Sequence, residues 1–289
     1  MYTTLARALG ARRIVAPLMT AATVATLALS LAWAPLAQAA PVRPSAPRMP
    51  RLVGAKHYYI ATGDSLAFGY QPDLNWADGY STDFADQMKA SAGLSDYDNL
   101  ACPGETTATF LNGGCPYWYV RKYLYTGSQM NAVLNYIGSH AGQVSPVTLD
   151  IGANDLNACY SNGSINVTCG NNALNAVRTN LPTIVSRIKA KLNGTGDLFL
   201  MNYYDPYQNA NPATLTWVQQ LNGIIAQVGS QYGVPVVDVY SIFHTGQYPN
   251  GNNPYVCNWT WMCSVFNDIH PNSNGYSQIA AGFERVAGY

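Results

Sequence analysis

Charged side chains are scarce in this chain of 289 residues, because Asp, Glu, Lys and Arg together make up only 10% of it. An average globular protein has roughly 25%. The 15 basic and 15 acidic residues balance, so the sequence offers no basic surface of the kind that nucleic-acid binding requires. The four histidines include no pair at the spacing of metal ligands on one helix face. Internal repeats are also missing.

The first 39 residues have the pattern of a secretory signal peptide. Three arginines precede an apolar run over residues 14–33, and the small-residue site Ala37-Gln38-Ala39 follows it. Prolines at 17 and 35 flank the run, which makes a transmembrane anchor the weaker interpretation. The sequence therefore predicts a secreted, extracellular protein without stable membrane insertion. Removal of the three arginines leaves 12 basic and 15 acidic residues, a net charge of −3.

Residues 40–56 contain a proline at every third position, at 41, 44, 47 and 50. This is the period of the polyproline II helix, and it predicts an extended leader or linker. Residues 57–289 have the length of one domain with a sizeable core.

Six cysteines all follow the predicted signal peptide, which in an exported chain favours disulfides over metal sites. Six cysteines allow 15 pairings. We expect neighbours to pair, because each such pair brackets a loop rich in Gly, Asn or aromatic residues. The expected pairs are Cys102 with Cys115, Cys159 with Cys169, and Cys257 with Cys263.

Hydrophobic periodicity predicts strands that mostly alternate with helices. This order is typical of an α/β domain whose mostly parallel sheet is covered on both faces. The five predicted strands cover residues 58–63, 97–101, 146–151, 197–202 and 234–239. The predicted helices cover residues 78–92, 129–139, 171–192, 213–232 and the stretch from 273 onward.

Three short stretches carry the residues of a candidate catalytic site. Ser65 and Asn154 each come just after a predicted strand, at the edge of the sheet where ligands bind in α/β proteins. His270 stands two residues after Asp268, which would accept its Nδ1 proton and leave Nε2 to activate a serine hydroxyl. The alternative is that residues 267–272 simply form a turn before a helix.

An oxyanion requires neutral, fixed hydrogen-bond donors, and three groups are candidates. Asn154 offers a side-chain amide, Gly104 a backbone N–H without an obstructing Cβ, and Ser65 its own backbone N–H. The other histidines, His57, His140 and His244, are predicted to be surface or capping residues.

Four blocks in this order resemble the SGNH (GDSL) hydrolases. They are Gly63-Asp64-Ser65-Leu66, Gly104, Gly152-Ala153-Asn154-Asp155 and Asp268-Ile269-His270-Pro271. The resemblance implies a catalytic domain over residues 57–289 with a flavodoxin-like three-layer α/β/α sandwich. It also implies Ser65 as nucleophile, His270 as base, an oxyanion hole of Ser65, Gly104 and Asn154, and no metal or organic cofactor. The cysteine positions are similar to those of secreted bacterial lipases and esterases of this family.

One position departs from the family's pattern. The acid usually stands three residues before the histidine, where this chain has Asn267. Either Asp268 reaches His270 from the shifted position, or a main-chain carbonyl near Asn267 supports a dyad. The α/β-hydrolase fold is disfavoured, because its G-x-S-x-G motif requires glycine where residue 67 is Ala.

The expected reaction is hydrolysis of a carboxylic ester of the lipase or carboxylesterase type. Aromatic residues near Cys115 and in the loop between Cys257 and Cys263 would line an acyl groove or stack on sugar rings. An O-deacetylase acting on acylated carbohydrate is therefore the alternative activity. A secreted, non-catalytic carbohydrate-binding module is the alternative from another class. We expect a monomer whose partner is an ester substrate.

Overall fold

The computed structural model describes residues 51–289, so the predicted signal peptide and most of the proline-rich leader lie outside the described residues. The strands are β1 (Tyr58–Gly63), β2 (Asp96–Asn99), β3 (Val144–Asp150), β4 (Tyr160–Ser161), β5 (Ser164–Ile165), β6 (Leu198–Met201) and β7 (Val236–Val237). The helices are α1 (Ser65–Phe68), α2 (Tyr80–Ser91), α3 (Thr107–Asn112), α4 (Gln129–Ser139), α5 (Ala153–Asn157), α6 (Val167–Leu192), α7 (Leu215–Tyr232), α8 (Val239–Ile242), α9 (Pro254–Trp259) and α10 (Ser273–Ala287).

Five strands form the main sheet, in the order β2-β1-β3-β6-β7. All four neighbouring pairs are parallel, and β1 and β3 end together with Gly63 opposite Asp150. Every residue of β3 and β6 is buried, as expected of strands with both faces covered. The predicted five-stranded α/β fold is confirmed, and the sheet is parallel throughout.

Most of the helices pack in two groups, one for each face of the sheet. Helices α2, α8 and α9 contact α10, whereas α3, α4, α5 and α7 contact α6. Each group turns an apolar stripe inward, for example Met130, Val133 and Ile137 on α4. On α10 the buried stripe includes Tyr276 and Phe283. This layering leaves the loops after the strands free to form a site.

The short helices α1, α3, α5, α8 and α9 were not predicted, and three further features differ from the predicted elements. The edge strand β7 contains two residues instead of six, because only β6 pairs with it. Helix α6 begins four residues earlier than predicted, since the side chain of Asn166 accepts the N–H of Cys169 and caps it. The antiparallel hairpin of β4 and β5 was not predicted at all.

The first described residues lie against the edge of the sheet where the strands begin. The carboxylate of Asp197, just before β6, accepts hydrogen bonds from the backbone N–H groups of Val53 and Gly54 at 2.9 to 3.0 Å. Within residues 51–289, no helix is long and apolar enough to cross a membrane.

Three disulfides join Cys102 to Cys115, Cys159 to Cys169, and Cys257 to Cys263. Each closes a loop of the chain near the edge of the sheet where the strands end. The first holds the loop of Gly104, the second fixes the β4–β5 hairpin to the start of α6, and the third closes a loop before His270.

Candidate active site

Ser65 begins a single helical turn directly after β1, and the backbone before it is tightly constrained. Gly63 has φ +129°, and a Cβ there would lie 2.0 Å from the carbonyl oxygen of Asp150. Only glycine fits this approach of two strand ends. The Asp64 carboxylate then caps the turn by accepting the N–H of Leu66 at 2.9 Å. The sequence Gly-Asp-Ser therefore fixes where the hydroxyl points.

Two buried carboxyl groups support this turn from below. Asp64 accepts the hydroxyl of Tyr203 at 2.9 Å, and Asp150 accepts the hydroxyl of Tyr80 at 2.6 Å and the N–H of Ala67 at 3.1 Å. Burial raises the pKa of both carboxyls, and the nearby charge of Asp64 raises the pKa of Asp150 further. The pair therefore retains a proton under conditions in which an exposed aspartate is ionised.

The loop before α10 carries His270 and Asp268. An antiparallel bridge between Thr260 and Pro271 closes its base, and the N–H of Trp261 donates to the carbonyl of His270 at 3.0 Å. The N–H of Asp268 donates back to the carbonyl of Trp261 at 3.2 Å. Tyr70 packs its ring against the imidazole, with ring centroids 4.6 Å apart. The loop is thus held by its own backbone and by the core.

A continuous hydrogen-bonded chain connects these residues with Ser65. His270 Nε2 lies 2.7 Å from Ser65 Oγ, and His270 Nδ1 lies 2.6 Å from Asp268 Oδ1. The same carboxylate oxygen accepts the backbone N–H of His270 at 2.9 Å. Burial raises the pKa of Asp268, but the hydrogen bond and charge of His270 outweigh it and lower the pKa below its usual value. Asp268 therefore stays ionised beside the imidazole.

Asn267 takes no part in this hydrogen-bonded chain. It is exposed and has φ +46°, a left-handed conformation that turns the backbone just before Asp268. Of the two supports considered for His270, the geometry favours the Asp268 carboxylate over the main chain at Asn267.

Gly104 and Asn154 lie beside Ser65 in one groove. The Asn154 amide donates one hydrogen to the carbonyl of Glu105 at 3.0 Å, which fixes its orientation and leaves the second hydrogen free. Within residues 51–289, the backbone N–H groups of Ser65 and Gly104 donate to no other protein group. Three neutral donors of the kind that an oxyanion hole requires therefore lie on residues that line the groove beside Ser65.

Glu105 is a buried residue next to these donors, and its role was not predicted from the sequence. Its Oε2 accepts a hydrogen bond from Gln129 Nε2 at 2.9 Å. The same Nε2 also donates to the carbonyl of Gly63, and the N–H of Gly63 donates to Gln129 Oε1. Burial raises the pKa of Glu105 to about 7, partly offset by the hydrogen bond from Gln129. Glu105 and Gln129 thus join the Gly104 loop to the turn of Ser65.

An apolar pocket opens on one side of Ser65, and a wider groove on the other. The groove includes Tyr70, Trp76, Tyr117, Tyr119 and Val120. The pocket lies under the β4–β5 hairpin, where Tyr160 stacks on Tyr207 with ring centroids 3.8 Å apart. Its apolar lining includes Leu156, Ile165, Val218 and Leu221.

The sequence missed the hairpin and the tyrosines of this pocket. A signal was present, because Asn162-Gly163 is the dipeptide typical of two-residue hairpin turns. Both residues have positive φ, +50° and +79°, as such a turn requires.

Among residues 51–289, one cluster has the composition of a metal site, namely Cys102, Glu105 and Cys115. The two cysteines form a disulfide, so only the carboxylate remains as a ligand. The cluster does not fit a metal ion.

The remaining histidines have structural partners. His57 hydrogen-bonds Ser95 at 2.9 Å, His140 packs against Tyr58 and Tyr136, and His244 stacks on Tyr255.

Comparisons with known proteins agree with the fold described above. The solved structure of Axe2, an acetylxylan esterase from Geobacillus stearothermophilus, has a TM-score of 0.55 at 15% identity, covering 83% of this chain and 97% of its own. Phospholipase A1 from Streptomyces albidoflavus NA297 has a TM-score of 0.52 at 19% identity, covering 81% and 99%. At these identities the likeness shows the fold alone. No curated protein matches the chain significantly.

The sequence itself is decisive for the family. Residues 61–278 match the model of the GDSL-like lipase/acylhydrolase family, a range that includes Ser65, Gly104, Asn154 and His270. The chain therefore belongs to the GDSL-like lipase/acylhydrolase family and is a hydrolase of ester bonds.

Proposed function

We propose that the chain is a secreted esterase that hydrolyses lipid-type acyl esters with Ser65 as nucleophile, His270 as general base and Asp268 as the acid that orients it. The unbroken hydrogen-bonded chain from Ser65 Oγ through the imidazole to Asp268 carries this proposal. The predicted signal peptide and the three disulfides support secretion.

The reaction follows from the positions of the donors and acceptors. Ser65 Oγ forms a bond to the ester carbonyl carbon while its proton passes to His270 Nε2. The carbonyl oxygen gains negative charge, which the N–H groups of Ser65 and Gly104 and the Asn154 amide stabilise. The carbon–oxygen bond to the alcohol then breaks, and the imidazolium gives the alcohol its proton.

Water completes the cycle by the same route. His270 takes a proton from water as the water oxygen attacks the acyl carbon, and the carboxylic acid leaves when Ser65 regains its proton. Asp268 remains ionised throughout and stabilises the imidazolium. Its lowered pKa is consistent with this role.

The apolar pocket supports an acyl chain longer than acetyl. Its aliphatic side chains begin next to Ser65 and His270 and continue beneath the hairpin. Each methylene that enters such a pocket gains about 0.8 kcal/mol. The wider aromatic groove on the other side of Ser65 would accept the alcohol part.

A series of chromogenic esters tests the proposal. We expect kcat/KM to rise at least about tenfold from the acetate to the octanoate ester, and to fall by about a thousandfold or more in Ser65→Ala. Preference for an acetylated xylo-oligosaccharide would favour the O-deacetylase instead. Equal rates for wild type and Ser65→Ala would favour the binding module. Monomeric state and the lack of a nucleic-acid partner stay predictions.

A further inference from the structure

Exposed apolar side chains concentrate around the mouth of the groove. Of nine large hydrophobic side chains exposed within residues 51–289, seven belong to three segments, residues 70–76, 117–124 and 261–266. We call these three segments the rim. The seven side chains are Leu74, Tyr117, Trp118, Tyr119, Leu124, Val265 and Phe266.

The three segments form one continuous surface. The ammonium of Lys122 donates to the carbonyl of Trp76 at 2.5 Å, which joins the second segment to the first. The indole N–H of Trp261 donates to the side-chain carbonyl of Gln71 at 3.3 Å, which joins the third segment to the first. Because Tyr70, Trp76 and the 117–120 stretch also line the groove, the rim borders the opening that leads to Ser65.

The most exposed side chains of the rim are aliphatic. Val265 is 97% exposed, Leu124 84% and Leu74 70%. Aromatic rings stack on sugars, but a leucine or valine projecting into water has no such use. A hydrocarbon phase accepts both kinds of side chain. The composition therefore favours a lipid surface over a carbohydrate polymer.

The cations of the rim are held by the protein itself. Arg121 donates to the carbonyls of Trp118 and Tyr125, and its guanidinium lies 3.8 Å from the centre of the Tyr125 ring. Lys122 is bound to the Trp76 carbonyl and lies 4.8 Å from the centre of the Phe68 ring. Two cations, one of them offset by Asp73 on the same surface, are fewer than the cluster of basic residues that anionic lipids attract.

We propose that the rim docks on a neutral lipid surface, such as a zwitterionic phospholipid bilayer, and so presents the groove of Ser65 to aggregated substrate. The binding rests on the exposed side chains, and its consequence for catalysis rests on the proposed function. The attachment is peripheral, because single side chains of three loops enter the surface and no helix within residues 51–289 is long and apolar enough to cross it.

The test compares vesicle binding with hydrolysis of a soluble ester. Vesicles of diether phosphatidylcholine contain no cleavable ester, so their sedimentation with the protein measures docking alone. The variant combines Leu74→Ser, Leu124→Ser and Val265→Ser, none of which lines the pocket or the groove. The matched control is Val53→Ser, an exposed valine at the opposite edge of the sheet beside Asp197.

We expect the triple variant to bind vesicles on the order of 10³-fold more weakly than wild type, since each of the three lost side chains is worth on the order of tenfold in partition. The control should bind as wild type does, and kcat/KM for a soluble butyrate ester should stay within about twofold in both variants. Equal sedimentation of wild type and triple variant, or no sedimentation of either, would overturn the proposal. A lower solution mass of the triple variant than of wild type would also overturn it, because the rim of the wild-type protein would then be an interface between two copies of the chain. Loss of soluble-ester hydrolysis in Ser65→Ala tests the proposed function separately.

Discussion

The backbone N–H of Asp64 donates to the carbonyl of Asp150 at 3.1 Å beneath the turn that carries Ser65, where both carboxyl groups are buried. Asp64 also accepts the backbone N–H of Leu66 and the hydroxyl of Tyr203. The turn of the nucleophile therefore depends on a carboxyl that touches no substrate.

Asp64→Ala should leave both donors without a partner. Each buried, unpaired group costs about 1–3 kcal/mol, so we expect the free energy of unfolding to fall by about 2–6 kcal/mol. Asp64→Asn keeps an acceptor for the N–H of Leu66, and its amide can donate to the hydroxyl oxygen of Tyr203, so it should lose less than half as much. Urea unfolding at neutral pH measures both. Equal losses in the two variants would show that these hydrogen bonds do not stabilise the turn.

Asp268→Asn should lower kcat on a soluble ester by about 10²–10⁴-fold, because an amide cannot hold the imidazole in the required tautomer or stabilise its cation. Asn267→Ala alters the exposed neighbour and should change kcat by less than about twofold. Steady-state kinetics at several pH values compares the two. If Asp268→Asn retains the wild-type rate, the main chain supports His270 instead.

Glu105→Gln should make the protein's stability less dependent on pH. The folded protein holds a proton on Glu105 up to about pH 7, whereas the unfolded chain releases it near 4.5. This contribution to stability is fully present below pH 4.5 and is lost as the pH rises to about 7. As the pH rises between these values, the free energy of unfolding of the variant should therefore increase relative to that of wild type by up to about 3 kcal/mol. Denaturant unfolding at pH 4.5 and 7.5 measures the gain, and parallel profiles would refute it.

Gly63→Ala should destabilise the protein by about 3 kcal/mol or more and abolish activity. The new Cβ would lie 2.0 Å from the Asp150 carbonyl oxygen, at a φ that only glycine adopts readily. The control is Gly223→Ala on α7, where a Cβ meets nothing within 4 Å. That change should be neutral or stabilise by up to about 1 kcal/mol. Thermal unfolding of both proteins distinguishes them, and an unperturbed Gly63→Ala would contradict the close approach of β1 and β3.

Val218→Phe should shorten the acyl chain that the enzyme accepts. Val218 lines the apolar pocket, so a larger ring there excludes the end of a long chain while leaving room for acetate. We expect the ratio of octanoate to acetate kcat/KM to fall at least about tenfold. Val120→Phe is the matched change in the groove and should leave this ratio unaltered. The reverse pattern would assign the acyl chain to the groove.

The sheet and its edge were predictable because their signals are local and strong. The runs of β1, β3 and β6 have the length and many of the residue types that are typical of strands, and Ser65 and Asn154 follow two of them. His270 was separable from the other histidines by the carboxylate two residues away.

What the sequence did not predict depends on contacts between distant segments. The length of β7 is set by its single neighbour, and the role of Glu105 by Gln129, 24 residues away. The capping box of Thr106 and Thr109, which begins α3, is a local feature and was also missed. It has threonine where glutamate or glutamine is usual.

The proposed base His270 and its carboxylate Asp268 stand two positions apart in one closed loop, while the hydroxyl of Ser65 stands 205 positions before His270. A shift of that loop would therefore carry the imidazole and its acid together and leave their separation intact. Only the gap to Ser65 would widen or narrow. The proposed proton relay thus has one rigid half and one adjustable half, and a distant change that moves the loop would alter the relay through that single gap.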